Sequence, residues 1–166
     1  VAIENLRASL SHTYKISKHV SNTTRAFVNG YTLNQTYAVG LNDDHSLSFG
    51  GRTFFDFNFF KGKKVSLDGK VGGEYLKTTA KKSSNAMFGG VLGGFNSQNS
   101  IQAQRYFVFT EWQLNLPYGI KFLAGGSYNF IEYQVTDLLA NASNPNHDDA
   151  SGYKRFKPVF TPRLSL

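Results

Sequence analysis

Cysteine is absent from this chain of 166 residues, which excludes a disulfide framework, a thiolate nucleophile, a zinc ribbon and an iron–sulfur site. Long apolar runs are missing as well. The stretch Thr53 to Phe60 is broken by Asp56 and Asn58, whereas a spanning helix needs roughly 18 to 20 apolar residues. No transmembrane helix is therefore expected. The helix formers Leu, Ala and Glu are scarce, and Met and Trp occur once each. The chain opens Val1-Ala2-Ile3-Glu4-Asn5, without the basic start or apolar segment of a signal peptide, so an internal or processed piece is expected.

What remains is rich in 15 Phe, 9 Tyr and 16 Gly. At 40% hydrophobic and 15% aromatic the sequence is too apolar for disorder, and its length suits one domain built from strands. From Leu6 to Ser17 the even positions read Leu6, Ala8, Leu10, His12, Tyr14, Ile16 and the odd ones Arg7, Ser9, Ser11, Thr13, Lys15, Ser17. That period of two is the mark of a strand with two unlike faces. It returns from Lys64 to Tyr75, where every charge falls on the even positions, and from Tyr106 to Leu116, where Phe107 and Phe109 blur one end. Weaker copies run through Arg25 to Leu41 (Phe27, Tyr31, Leu33, Tyr37, Val39 and Leu41 in one parity), Ser46 to Phe59 and Ile120 to Phe130. A seventh begins near Lys157.

These strands run to roughly 11 to 17 residues, whereas globular strands usually have about 5 or 6. A tilted membrane-spanning strand needs about 9 to 11 residues within the hydrocarbon. The expectation is an all-β fold: an antiparallel transmembrane β-barrel segment. Its joins are read as short near His19 to Thr23, polar near Asn42 to His45, short at Lys61-Gly62-Lys63, long from Thr78 to Gln104, tight at Pro117-Tyr118-Gly119 and long from Thr136 to Gly152. Outer-membrane barrels keep short turns on the periplasmic side and longer loops outside. The turns near 20, 61 and 118 are therefore placed in the periplasm and those near 43, 90 and 145 outside. Tyr14, Tyr75, Tyr106 and Tyr128 are expected in the aromatic girdles.

From Tyr106 onward the chain reads YFVFTEWQLNLPYGIKFLAGGSYNF, then a polar loop, then FKPVFTPRLSL. The order of Glu111-Trp112-Gln113-Leu114, a tight turn, Ala124-Gly125-Gly126-Ser127-Tyr128 and Phe160-Thr161-Pro162-Arg163-Leu164 resembles the barrel of TonB-dependent outer-membrane receptors. The resemblance covers about a third of the chain. It departs at Gly126-Ser127, where family members often carry a Leu-Arg pair, which removes an inward cation. The resemblance implies that residues 1–166 are part of a plugged barrel of about 22 strands, without the plug domain, a TonB box or the closing C-terminal strand. It further implies a bacterial outer-membrane protein that imports a scarce nutrient, most naturally an iron chelate or siderophore. The implied partners are the lipid bilayer, a TonB-type energy-coupling protein, the protein's own plug domain and a ferric chelate ligand, with a surface lipoprotein as a further candidate. The rival readings are a small passive barrel (a pore or adhesion protein) and an outer-membrane hydrolase.

If the apolar parity faces lipid, the lumen receives Arg7, Lys15, Arg52, Lys64, Lys70, Lys121 and Arg163 against Asp56, Asp68, Glu74 and Glu111. A positive lumen suits anionic cargo, because low-dielectric walls focus the field. Arg52, Lys70, Glu74, Glu111, Lys121 and Arg163 are the candidate substrate contacts. The loop Asn144-Pro145-Asn146-His147-Asp148-Asp149 gathers oxygen donors, and Asn146, Asp148 and Asp149 form its weak cation candidate, without a closing bidentate Glu. Gly89 to Gly94 lacks the Lys-Ser/Thr of a phosphate loop and is expected to be a flexible external loop. The four histidines share no ligand spacing, and neither an HExxH nor a Gly-x-Ser-x-Gly element occurs, so no catalytic group and no cofactor are expected. The net charge of +7 is spread over alternating strands, which argues against nucleic acid.

Overall fold

Alternation with a period of two commits a chain to extended backbone, and extended backbone must find ladder partners. The computed structural model, which describes residues 1–60, 64–140, 144 and 147–166, shows how. The strands are β1 (Ala2–Lys15), β2 (Val20–Tyr37), β3 (Gly40–Phe59), β4 (Ser66–Phe88), β5 (Val91–Asn115), β6 (Lys121–Asp137), β7 (Gly152–Arg155) and β8 (Val159–Ser165), with one 3-10 turn at Pro117–Gly119. Each of β1 to β6 pairs antiparallel with the next, and β7 and β8 share the far side of β6. The sheet is a meander of seven lanes holding eight strands. The expectation of seven strands overlooked β7, which Phe156 to Pro158 separate from β8. Pro158 has no N–H to give the ladder, and the next residue resumes pairing at Asn129.

The sheet contains no buried hydrophobic residue among the described residues, while Leu10, Leu164 and Phe160 stand 78%, 75% and 63% exposed. In water such a surface, bounded by open edges, would be a strong aggregation hazard. Hydrocarbon would resolve the problem, since ladder hydrogen bonds are made within the sheet and the apolar side chains could meet lipid. The register sorts the faces. One carries Leu6, Ala8 and Leu10 of β1, Ala26 and Val28 of β2, Phe49, Phe55 and Phe57 of β3, Leu67 and Val71 of β4, Val108 and Trp112 of β5, and Phe122 and Tyr128 of β6. The other carries Arg7, Arg25, Arg52, Asp56, Lys70, Glu74, Arg105, Glu111 and Arg163.

Parity in β2 runs against the sequence reading. Phe27, Tyr31 and Leu33 pair with Ser9, Asn5 and Ile3 and lie on the charged face together with Arg25 and Asn29. An aromatic residue satisfies either face of a wide barrel, so the lone arginine in that parity carried the better signal.

The joins also differ from expectation. Asn42 to His45 lie inside β3, and the turn is at Ala38-Val39. The stretch 78 to 104 is two paired strands meeting at Gly89-Gly90, whose φ values of 58° and 83° supply the left-handed pair that a tight hairpin needs. Gly93 and Gly94 belong to β5. The strands are therefore longer than predicted, at 23 residues for β4 and 25 for β5. The turns at 16–19 and 116–120 sit at one end and those at 38–39 and 89–90, with the join from β6 to β7, at the other, the ends the sequence reading assigned. The lengths do not alternate as expected: 38–39 and 89–90 are two-residue turns, shorter than the four residues at 16–19 and the five at 116–120, and of the joins expected to be longer only that from β6 to β7 is long. Lys61, Gly62 and Lys63 lie outside the described residues.

A girdle closes the apolar band. Tyr75 and Tyr106 meet at 5.0 Å, and both hydroxyls donate to Gln104 Oε1, at 3.3 and 3.2 Å. Their rings thus lie on apolar surface while their hydroxyls reach a polar row. Phe130 shares that row through Tyr106, whereas Tyr128 sits one step inside it, 4.7 Å from Phe130. At the opposite rim Trp112 stacks on Phe57 at 5.6 Å and covers Gly69, where a Cβ would collide with the indole.

Candidate functional site

The charged face is organised by the ladder into cross-strand rows. One row reads Asp56, Lys70, Glu111, Gly125, Arg163 across β3, β4, β5, β6 and β8. Four residues further along β4 a second reads Arg25, Arg52, Glu74, Phe107. Between them runs a row of Phe54, Gly72 and Phe109. Lys70 Nζ lies 3.3 Å from Asp56 Oδ1 and 4.6 Å over the Phe54 ring, and the Arg52 guanidinium lies 5.0 Å over Phe109. Both cations therefore lean across the aromatic row. Rings below the cations, with open space above, leave their charge directed away from the wall.

Glu74 is the most enclosed carboxylate of this group. It accepts from Arg105 Nη2 at 2.6 Å and stands 3.9 Å from Arg52 Nε, which is enclosed without a hydrogen-bond partner. Arg163 Nη1 donates to Glu111 Oε2 at 2.8 Å. Between these pairs Gly125 leaves the floor bare, since a Cβ there would meet the Thr110 carbonyl at 2.6 Å. The resulting hollow measures about 430 Å³, with Arg52, Lys70, Phe109, Glu111 and Arg163 on its sides. A neighbouring hollow of about 310 Å³ is bounded by Arg7, Arg25, Phe27, Asn29, Arg52 and Glu74. Arg25 and Arg52 face each other directly in the register. Arg7 and Arg25 make no ion pair among the described residues.

Of the candidate contacts, Arg52, Lys70, Glu74, Glu111 and Arg163 come together on this surface. Lys121 does not: it pairs with Asn115 at the sheet's edge, four residues and about 13 Å of strand from Gly125. Sequence reasoning missed Arg25 and Arg105. Arg25 was lost to the β2 parity, and Arg105 fell between the loop read over 78–104 and the strand read from Tyr106. With them the patch holds Arg7, Arg25, Arg52, Lys70, Arg105 and Arg163 against Asp56, Glu74 and Glu111, so the carboxylates cannot neutralise it.

A second polar centre closes β6. Asp137, 8% exposed, accepts from Leu139 N at 3.0 Å and Ala150 N at 3.3 Å and pairs with His147 Nε2 at 2.9 Å, while its own N–H donates to Ser151 Oγ at 2.8 Å. The His147 contact foremost, then the backbone donors, hold its carboxyl below the usual aspartate range. Asp149 is lowered too, because the side chain and N–H of Ser151 bond to it. The carboxylates of Asp137 and Asp149 thus turn inward to the loop's own backbone. Asn146 lies outside the described residues, and among the described residues no three metal-ligating side chains converge.

No family model and no curated protein matches the sequence. Solved structures do. The ferric citrate transporter FecA in its unliganded form aligns over 95% of this chain with a TM-score of 0.75 at 11% identity. The siderophore receptor PiuA from Acinetobacter baumannii aligns over 98% with a TM-score of 0.70 at 12% identity. The fold is that of a stretch of barrel wall in these proteins. BauA, the ferric preacinetobactin receptor of Acinetobacter baumannii, extends the likeness, with a TM-score of 0.61 over 98% of the chain at 12% identity. The wall described here spans 23%, 29% and 27% of the lengths of these three proteins.

Proposed function

We propose that the chain is a stretch of the wall of a plugged outer-membrane barrel that imports an anionic iron chelate, with energy delivered by a TonB-type partner from the periplasmic side. The observation that carries the reading is the surplus of arginine on the face away from lipid, with Arg7 and Arg25 unpaired and Arg52 Nε unsatisfied beside a bare glycine floor. Cations held over aromatic rings in a channel of low dielectric attract polyanions and orient them without binding them irreversibly. The fold shared with receptors named for ferric citrate and siderophores supports the same reading.

In this mechanism the chelate, or an acidic segment of the barrel's own plug, replaces water on Arg7, Arg25 and Arg52, while Glu74 and Glu111 keep Arg105 and Arg163 in place. The outer edge of β1 has no partner strand among the described residues, so further wall must continue the ladder there if the sheet lies in lipid. The test is a titration of the protein, extracted from its source membranes in detergent, with ferric citrate and with other ferric chelates. Replacing both Arg25 and Arg52 by Ala is expected to weaken binding by at least about tenfold, as loss of a charged hydrogen bond predicts. Uptake by cells, but not binding, should vanish when the energy-coupling partner is deleted. Unchanged affinity in the double variant, or a folded barrel that takes none of the chelates, would overturn the proposal.

A further inference from the structure

The two ends of the sheet differ in the sign of their charge. At the end where β1, β3 and β5 finish, the chain turns back over residues 15–20, 60–66 and 115–121, which carry Lys15, Lys18, Lys61, Lys63, Lys64 and Lys121 without one Asp or Glu. Lys61 and Lys63 lie outside the described residues and count here by sequence alone. At the opposite end the signs mix, with Asp43, Asp44, Asp137, Asp148 and Asp149 among Lys81, Lys82 and Lys154.

Hydrogen bonds knit the three joins into one rim. His19 Nδ1 donates to the Asn58 carbonyl at 2.8 Å, and the Asn58 N–H donates to the His19 carbonyl at 2.8 Å, which sets Lys18 beside the end of β3. Asn115, the ladder partner of Lys121, donates to Ser66 Oγ and Asp68 Oδ2, each at 2.9 Å, which sets Lys121 beside the start of β4. The carboxylates in the next two rows of this face are engaged: Asp68 by Asn115, Asp56 by Lys70 at 3.3 Å and Glu111 by Arg163 at 2.8 Å. The side chains of Lys15, Lys18, Lys64 and Lys121 make no ion pair or hydrogen bond among the described residues. Lys15 and Lys121 alternate with Tyr14 and Phe122 of the apolar face, so their charge points away from the surface that lipid would cover.

An aromatic ring stands at the tip of this rim. Tyr118 is fully exposed, and its φ of 64° lies in the left-handed region, where a bulky side chain is strained. Glycine would turn the chain there without that strain. A ring held out in water beside unpaired lysines matches a partner that joins anionic groups to flat apolar faces. In the aqueous space beneath an outer membrane that chemistry is a carboxylate-bearing glycan.

Resting on the outer-membrane placement proposed above, with this end in the periplasm, we infer that the lysine rim docks on peptidoglycan. The Tyr118 ring stacks on the C–H face of a sugar, and Lys18, Lys64 and Lys121 meet carboxylates of the peptide branches. Each exposed ion pair contributes little alone, but a polymer offers its carboxylates repeatedly and engages several lysines at once.

The experiment uses the protein extracted from its source membranes in non-ionic detergent, with co-sedimentation on purified peptidoglycan sacculi as the readout. Sacculi whose carboxylates have been amidated, and vesicles of phosphatidylglycerol, are the comparison probes, and polyglutamate is the competitor. The protein is expected to pellet with native sacculi and to stay in solution with amidated ones. K18Q, K64Q and K121Q should each weaken binding about twofold and the triple variant about tenfold. Y118G, which relieves the backbone strain and so keeps the turn, should weaken it about threefold. Equal pelleting with amidated sacculi, unchanged binding by the triple variant, or capture by the vesicles in place of sacculi would each overturn the inference. Binding unchanged in Y118G and fully displaced by polyglutamate would make the partner an acidic polypeptide and overturn it too. Absence of the protein from the outer-membrane fraction, read beforehand, would overturn the placement itself. Ferric chelate binding kept in the lysine variants, with sacculus binding kept in the Arg25 and Arg52 variant, separates the two proposals.

Discussion

The inner and outer halves of β4 and β5 share one ladder yet follow different rules. Between Leu67 and Tyr75 the side chains alternate between an apolar and a charged face, with Leu67, Val71 and Tyr75 on one and Asp68, Lys70 and Glu74 on the other. Beyond Lys77 both faces are polar, with Thr79 and Lys81 opposite in sense to Thr78 and Lys82, although pairing continues to Phe88 and Val91. Backbone hydrogen bonding holds both halves equally, but alternation records only a difference in solvent between the two faces. Where water bathes both, the pattern disappears and the strand does not.

The largest expected contrast is a buried charge. Val71→Arg, on the lipid face of the band, should destabilise the barrel by about 2–4 kcal/mol, whereas Thr79→Arg, eight residues outward on the same face, should change stability by less than about 0.5 kcal/mol. Urea unfolding in lipid vesicles, followed by gel mobility, measures both, and equal effects would break the division. Next comes Gly69→Leu, which displaces Trp112 and should cost about 1–3 kcal/mol. Gly94, with nothing within 4 Å of an added Cβ, should accept Leu at little cost. Removing a carboxylate should matter less: Glu74→Gln leaves Arg52 and Arg105 facing each other and should cost up to about 1 kcal/mol, against a few tenths for Asp44→Asn at the exposed Lys82 pair.

The smallest effect is local. Because the Asp137 carboxyl is held below its usual range, its contribution is present above about pH 4, the ordinary aspartate value, and is lost as pH falls through the lowered value. Asp137→Asn should therefore abolish the acid-dependent part of hydrogen-exchange protection at Leu139 and Ala150 while leaving β4 unchanged.

The legibility of the fold follows the same division. Leu6 to Lys15, Lys64 to Tyr75 and Tyr106 to Leu116 announced their faces because one face of each is apolar and the other polar. Residues 78 to 104 read as a loop because Thr78, Thr79, Lys81, Lys82 and Ser83 offer no apolar parity, and cross-strand pairing leaves no mark in one sequence. β7 is only four residues long, too short for any period to declare itself. At the candidate site, Arg52, Lys70, Glu74, Glu111 and Arg163 were legible through parity. Their order in rows, the bare floor at Gly125 and the rings beneath the cations depend on register, which only the three-dimensional pairing sets. Asp137 went unnoticed because its partners come from a loop of irregular backbone 10 to 14 residues away.

The single tryptophan gives this wall an optical gauge of its own. Trp112 lies over Gly69 at the inner rim of the apolar band, its indole N–H bonded at 2.9 Å to Thr110 Oγ1 rather than to solvent. Its emission should be blue-shifted and quenched by brominated acyl chains in an order that reports depth. Insertion of the wall into a bilayer can thus be timed without any attached label, and a mispaired β4–β5 ladder would reveal itself as a red-shifted, water-quenched spectrum.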